Sequence, residues 1–282
     1  MEERYIDLHT HSTCSDGTLT PTEVVIAAKD AGLSAIALSD HDTVEGIQEA
    51  TLAGHRFGVE VVPAIELSSA SETETHILGF FIDTGSPVLK SKLEEIRQTR
   101  IRRSEDVCRR LTEAGLPVTM EDAMRYSGGS IVCRGHIARA MMEFGYVSSV
   151  KEAFALYLSP GKIAHSRLQA MTDEEAVRLI KDAGGLAFVA HLNQTKRSLD
   201  SLREMLTRLK SAGLDGIEGY YTEYTEELGR EYRALAAELG LMLSGGSDFH
   251  GENKPHIKIG TGTGELHVPY TVLAAMKERM GR

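Results

Sequence analysis

Short apolar runs rich in Val, Ile and Leu recur along the chain, each separated from the next by an amphipathic or polar stretch. RYIDLH, LSAIALSD, VEVVPAIEL, HILGFFI, GLAFVAH, DGIEGYY and LMLSGGSD are the seven runs, and their nearly continuous apolar character predicts buried strands of a parallel sheet. Between the first two, Pro21 and Thr22 open a predicted helix. Its Val24, Val25, Ala28 and Ala31 fall near helical spacing, and Gly32 ends it. Thr43 to Ala53, Thr172 to Ala183, Leu199 to Ala212 and Thr225 to Leu239 repeat the same logic before a Gly and a new strand. Such alternation predicts an α/β protein, either a parallel barrel or an open doubly wound sheet.

The alternation breaks from about Gly85 to Leu168, which holds helical patterns and no strand pattern. Leu89, Leu93, Ile96, Ile101, Val107 and Leu111 predict one long helix ending near Gly115 and Pro117. Ile137 to Phe144 and Val150 to Leu158 predict two shorter ones. The expected organisation is a barrel in two chain segments, 1–84 and 169–282, interrupted by a helical insertion, or cap, over 85–168.

Composition narrows the function classes. With 282 residues, 41% hydrophobic and 26% charged, the chain can bury an enzyme-sized core and is neither collagenous nor low-complexity. A formal charge of −10 argues against an extended duplex nucleic acid as partner. No apolar run approaches the roughly 18–20 residues that span a bilayer, and MEERYIDLHTH carries no apolar signal segment, so a cytoplasmic location without membrane contact is expected. Cys14, Cys108 and Cys133 form no CxxC pair and suggest neither a disulfide framework nor a thiolate zinc site.

The order of the 11 histidines carries more than their number. His9 and His11 close the first predicted strand, and a period of two puts both rings on one face. An HxH pair arises readily by chance. Here it is joined by Asp16, the Asp40-His41-Asp42 run, Glu66, His76, His191 and the Asp248-Phe249-His250 run, all at or just after predicted strand ends. In a parallel barrel those ends share one rim, and so many polar groups there without a cation would carry severe desolvation costs. Imidazole and carboxylate donors without Cys suit Mn, Fe or Zn.

DLHTHSTCSDGTLTP, ALSDHDT, PAIELS, HILGF, AHL and GGSDFHG, in that order and over essentially the whole chain, resemble the polymerase and histidinol phosphatase (PHP) family of metal-dependent phosphoesterases. The resemblance implies a distorted (β/α)7 barrel of seven strands and a trinuclear site. It places one divalent ion on His9, His11, Glu66 and Asp248, a second on Asp16, His41 and His250, and a third on Glu66, His76 and His191, with Glu66 bridging. Mn is the foremost candidate, with Fe or Zn as alternatives. Glu66, Asp248, His191 and His250 would then act through metal and bound water. The helical insert further resembles the bacterial subgroup of 3′,5′-nucleoside bisphosphate phosphatases and 5′-to-3′ exoribonucleases, in which this chain has Arg134-Gly135-His136 and His191-Leu192 where many relatives have Arg-Pro-His or Arg-Thr-His, and His-Pro.

A second phosphate would need cations other than the metals. From Lys90 to Arg110 eight Lys and Arg face four Asp and Glu, a local +4 in which Arg100, Arg103 and Arg110 share one helical stripe. Arg134 and His136 open another predicted helix, where backbone N–H groups also favour anions, and Lys162 is a further candidate. Arg100, Arg103, Arg134, His136 and Lys162 are therefore the substrate-binding candidates. The expected activity is hydrolysis of the 3′-phosphate of nucleoside 3′,5′-bisphosphates. The alternatives are 5′-to-3′ trimming of short 5′-phosphorylated RNA or DNA, a noncatalytic metal- or nucleotide-binding module, and histidinol phosphate hydrolysis. His55, His165, His256 and His267 read as incidental.

Overall fold

The computed structural model describes residues 4–70, 74–127, 131–166 and 171–281. They fall into two compact units, Met1–Ser91 with Met171–Arg282, and Lys92–Ala170. The strands, all in the first unit, are β1 Tyr5–Thr10, β2 Ala35–Leu38, β3 Glu60–Ala70, β4 Glu74–Phe80, β5 Leu186–Val189, β6 Gly216–Tyr221, β7 Met242–Gly246 and β8 Val268–Pro269. The helices are α1 Pro21–Asp30, α2 Ile47–Phe57, α3 Pro87–Glu113, α4 Met120–Met124, α5 Arg134–Glu143, α6 Val150–Ala153, α7 Asp173–Asp182, α8 Leu199–Ala212, α9 Glu226–Leu239 and α10 Tyr270–Arg279.

The strands form one sheet in the order β7-β6-β5-β4-β3-β2-β1-β8. Its two ends approach one another: Asp248 N–H donates to the His9 carbonyl at 2.9 Å, and His11 N–H to the Phe249 carbonyl at 2.9 Å. The sheet is thus a nearly closed barrel. Gly246 is required at this seam, because a Cβ there would stand 2.4 Å from both the nitrogen and Cβ of His9.

Two features depart from seven parallel strands. β4 runs antiparallel to both β3 and β5. Only residues 71–73 separate it from β3, whereas a parallel crossover needs a dozen or more. An eighth strand, β8, adds two residues antiparallel to β1.

Helix starts follow local chemistry. Thr20 with Glu23 and Thr172 with Glu175 form capping boxes at α1 and α7, each satisfying backbone N–H groups that the first turn leaves open. Ser198 and Thr225 cap α8 and α9. The predicted helix start at Thr43 moves to Ile47, because Asp42 adopts φ 54° and its N–H donates to the Glu66 carbonyl. In β2, Ala35 and Ala37 join a core with Ile6, Leu8, Phe80 and Phe188, while Ile36 and Leu38 pack with Val24 and Val25 of α1. The Phe80 and Phe188 rings meet edge-to-face at 5.3 Å, a geometry worth about 0.5–1.5 kcal/mol beyond the area they bury.

The second unit builds its own core from residues that include Val107, Leu111, Val118, Ile137, Met141 and Leu158. The predicted segment Val150 to Leu158 is a short α6 that widens into a π-helical turn over Phe154–Leu158. No helix among the described residues is long and apolar enough to cross a membrane.

Candidate metal centre

The alternation of β1 sends Ile6 and Leu8 into the core and leaves His9 and His11, both fully buried, at the strand's C-terminal end. Asp16 lies in the following loop, His41 just past β2, Glu66 in β3, His191 just past β5, and Asp248 and His250 just past β7. His76 is the exception in sequence position, preceding its apolar run instead of following it. The antiparallel direction of β4 explains this, because its start lies at the rim where its parallel neighbours end. His76 pairs there with Ser68, and its carbonyl accepts from Ala190 N–H at 3.0 Å.

The structure brings all nine predicted ligand candidates together around Glu66, which is fully buried. Its Oε2 lies 3.2 Å from His9 Nε2, 3.2 Å from His11 Nε2 and 3.2 Å from His41 Nδ1. Its Oε1 lies 2.8 Å from His76 Nδ1 and 2.9 Å from His191 Nε2. Asp248 Oδ1 lies 3.3 Å from His11 Nε2 and 3.3 Å from His250 Nδ1, and Asp16 Oδ1 lies 3.2 Å from His250 Nε2. Among the described residues, three groups have donor atoms close enough to share an ion: His9, His11, Glu66 and Asp248; His11, Asp16, His41 and His250; and His41, Glu66 and His76. His11 and His41 thus each stand in two groups. His191 reaches the cluster through Glu66.

Burial alone would raise the Glu66 carboxyl, but the imidazoles of His41, His9 and His76 hold it well below the usual carboxylate range. His250 and His9 do the same for Asp248, and His41 and His250 for Asp16, again against burial. In return, burial would lower His9, yet Glu66, Glu218 and Asp248 hold it well above the ordinary imidazole value. His11 is pushed up to about 9 against burial by the neighbouring carboxylates of Asp248 and Glu66. His41, where burial dominates, falls to about 3.

These residues fit a cation. Glu66 Oε2, His9 Nε2 and His11 Nε2 are fully buried and stand at hydrogen-bond distance, but their directions miss and none forms a hydrogen bond. Buried donor and acceptor atoms left in that state cost about 1–3 kcal/mol each, and a divalent ion shared among them removes the cost. An all-nitrogen-and-oxygen set suits Mn, Fe or Zn.

A second layer of side chains holds this set, and four of its members, Lys254, Tyr221, Glu218 and Tyr224, are not among the candidates drawn from the sequence. Lys254 Nζ donates to Asp248 Oδ2 at 2.6 Å, and Tyr221 OH donates to the same oxygen at 3.1 Å. Burial and then the Asp248 charge push the Tyr221 phenol far up, which keeps it a donor. Glu218, fully buried in β6, faces His9 Nδ1 at 3.0 Å and accepts from His191 N–H at 2.7 Å. Tyr224 OH accepts from Leu192 N–H at 2.8 Å. The signal for Glu218 was a lone carboxylate inside the apolar run DGIEGYY. Asp40, in the run read from the sequence, accepts from Ser12 N–H, Ser12 Oγ and Ser15 Oγ and so braces the loop that carries Asp16.

The substrate-binding candidates Arg100, Arg103, Arg134, His136 and Lys162 belong to the second unit. His136 Nδ1 accepts from Cys133 N–H at the start of α5, and the Arg134 guanidinium lies 5.6 Å over the Phe154 ring. Lys162 is exposed. Arg110, on the predicted stripe, pairs with Asp106 at 2.9 Å.

Comparison with known proteins agrees with the motif order. A family profile described as PHP domain matches residues 7–252. The chain is 34% identical over 251 residues to a 5′-3′ exoribonuclease of Haemophilus influenzae, covering 89% of this chain and 91% of the relative. It is also 34% identical over 247 residues to a 3′,5′-nucleoside bisphosphate phosphatase of Chromobacterium violaceum, covering 87% of each. A crystal structure from Bifidobacterium adolescentis, assigned as a metal-dependent phosphoesterase, superposes with a TM-score of 0.86 at 28% identity over the full length of both chains.

Proposed function

The chain belongs to the PHP domain family of metal-dependent phosphoesterases, and from that premise we propose that it removes the 3′-phosphate from nucleoside 3′,5′-bisphosphates. The observation that supports this most is the convergence of six imidazoles and three carboxylates on one barrel rim, in a chain that matches a bisphosphate phosphatase over most of its length.

In this reading His9, His11, Glu66 and Asp248 hold one divalent ion, Asp16, His41 and His250 a second, and Glu66, His76 and His191 a third. Manganese is the first choice, with iron or zinc as alternatives. Such ions supply an acidified water and positive charge for the phosphoryl oxygens. The imidazoles position and do not attack, because a ring nitrogen that ligates a metal has no lone pair left for proton transfer. Lys254 keeps its proton, since against its own burial the Asp248 carboxylate raises it. Arg103 and Arg134 hold the phosphate that does not react, with Arg100, His136 and Lys162 as further contributors.

A second reading, exonucleolytic trimming of short 5′-phosphorylated RNA or DNA at the same site, is favoured by the name of the Haemophilus relative. One experiment separates the two. Manganese-supplied protein is given adenosine 3′,5′-bisphosphate, adenosine 5′-monophosphate or an end-labelled 5′-phosphorylated oligonucleotide. Phosphate release from the bisphosphate about 10- to 100-fold faster than from the monophosphate, without a product ladder, supports the phosphatase. Equal release from both nucleotides removes the proposed selectivity. A length-dependent ladder with little bisphosphate turnover assigns the exonuclease.

A further inference from the structure

We infer that Glu218 is a positioning residue of the metal centre, a single carboxylate that sets the ring of His9 and the backbone of His191 together. The inference rests on reading the cluster as a divalent-metal site, and it concerns a residue outside the nine ligand candidates.

Glu218 sits in the middle of β6, fully buried. A carboxylate in that position costs several kcal/mol unless both oxygens are used. Both are. Oε1 lies 3.0 Å from His9 Nδ1, and Oε2 accepts from His191 N–H at 2.7 Å. A carboxylate only accepts, so Nδ1 of His9 carries a proton, and Nε2, the atom 3.2 Å from Glu66 Oε2, is the nitrogen that would offer its lone pair to a metal.

The second contact holds a strained turn. His191 has φ 24° and ψ 64°, outside the regions a residue with a Cβ occupies cheaply. Its N–H is fixed by Glu218, and the next N–H, from Leu192, donates to Tyr224 OH. That hydroxyl in turn donates to the backbone carbonyl of Glu218 at 3.2 Å. One position of β6 therefore anchors a ligand candidate on β1 and another just past β5. A proline at 192 would lack the N–H that closes this chain of contacts.

Glu218→Gln separates this role from space filling, because glutamine keeps the shape and changes one acceptor to a donor. If its oxygen keeps His191 N–H, its amide faces His9 Nδ1. It then fits only when the His9 proton moves to Nε2 and the ligating lone pair is lost. If it turns over, its amide opposes His191 N–H.

The test strips the full chain with a chelator and titrates Mn2+ alone into wild type and Glu218→Gln by calorimetry, with thermal melts of both metal-free proteins. The expected result is a folded variant whose affinity falls about 10- to 100-fold at the sites using His9 and His191. The site of Asp16, His41 and His250 keeps its wild-type affinity. Wild-type binding by the variant at every site overturns the inference alone. A wild-type chain that binds no Mn2+ overturns the metal reading and this inference with it. Should the variant not fold, zinc-loaded wild type decides through long-range 1H–15N correlations: a proton on His9 Nδ1 supports the assignment, and one on Nε2 overturns it.

Discussion

Lys254 Nζ meets Asp248 on Oδ2, the oxygen opposite the one that faces His11 and His250, so the two oxygens of this carboxylate have separate tasks. Oδ1 is left to the cluster. Oδ2 is neutralised by the lysine and tied down by Tyr221.

Lys254→Met should therefore destabilise the metal-free protein by about 1–3 kcal/mol, toward the lower end because 33% of the lysine side chain is exposed and screened. Added Mn2+ should recover more stability in the variant than in wild type, since the site has gained net negative charge. Thermal melts with and without Mn2+ read both effects. An unchanged metal-free melting temperature would show that the pair contributes nothing.

Glu66→Gln should abolish turnover while the barrel stays folded. Glu66 touches five of the six imidazoles, and loss of its charge weakens the grouping around His9 and the grouping around His76 at once. The fall in activity should exceed the roughly 100-fold that bounds the loss of an outer-shell partner. Metal content and phosphate release are the readouts. Wild-type values of both would remove Glu66 from the mechanism.

Metal chemistry leaves a local signature, His, Asp or Glu at the edge of an apolar run, and the rim of a barrel gathers such edges; the family motifs then select nine candidate ligands from these positions, leaving out Asp40 and Asp42 beside His41. His76 shows how much more one residue can tell. It precedes ILGF while its counterparts follow their runs, which is the mark of a reversed strand. Periodicity does not carry strand direction, so the run read as parallel, although the three-residue spacing after Ala70 allows only a hairpin. Glu218 was hidden for a different reason. A carboxylate in a buried strand announces a partner but not which one, and His9 lies 209 positions away. Lys254, in the polar GENKPH segment, looks like any solvated lysine until the fold turns it toward Asp248.

Gly246→Ala should open the barrel seam. The added methyl meets the backbone and Cβ of His9, neither of which is a flexible side-chain end, so overpacking of about 1–3 kcal/mol is expected. Chemical denaturation should show the loss, and metal affinity should fall with it because His9 shifts. A variant with wild-type stability would mean the seam is looser than its 2.9 Å hydrogen bonds indicate.

Arg103→Ala and Arg134→Ala should each lower kcat/KM for a 3′,5′-bisphosphate about 10- to 100-fold, the worth of a charge-assisted Arg–phosphate contact of roughly 1.5–3 kcal/mol. A substrate with one phosphate should lose much less. An equal fall on a generic monophosphate ester would assign these arginines to the reacting phosphoryl group or to the fold.

Metal-dependent removal of one particular phosphate can be followed by 31P spectroscopy of a single reaction. Chelator-stripped protein is mixed with adenosine 3′,5′-bisphosphate, and Mn2+ is then added. No change is expected before the metal, and afterwards inorganic phosphate with adenosine 5′-monophosphate as the sole nucleotide product. Release of phosphate before Mn2+ is added, or accumulation of adenosine 3′-monophosphate, would contradict the proposed activity.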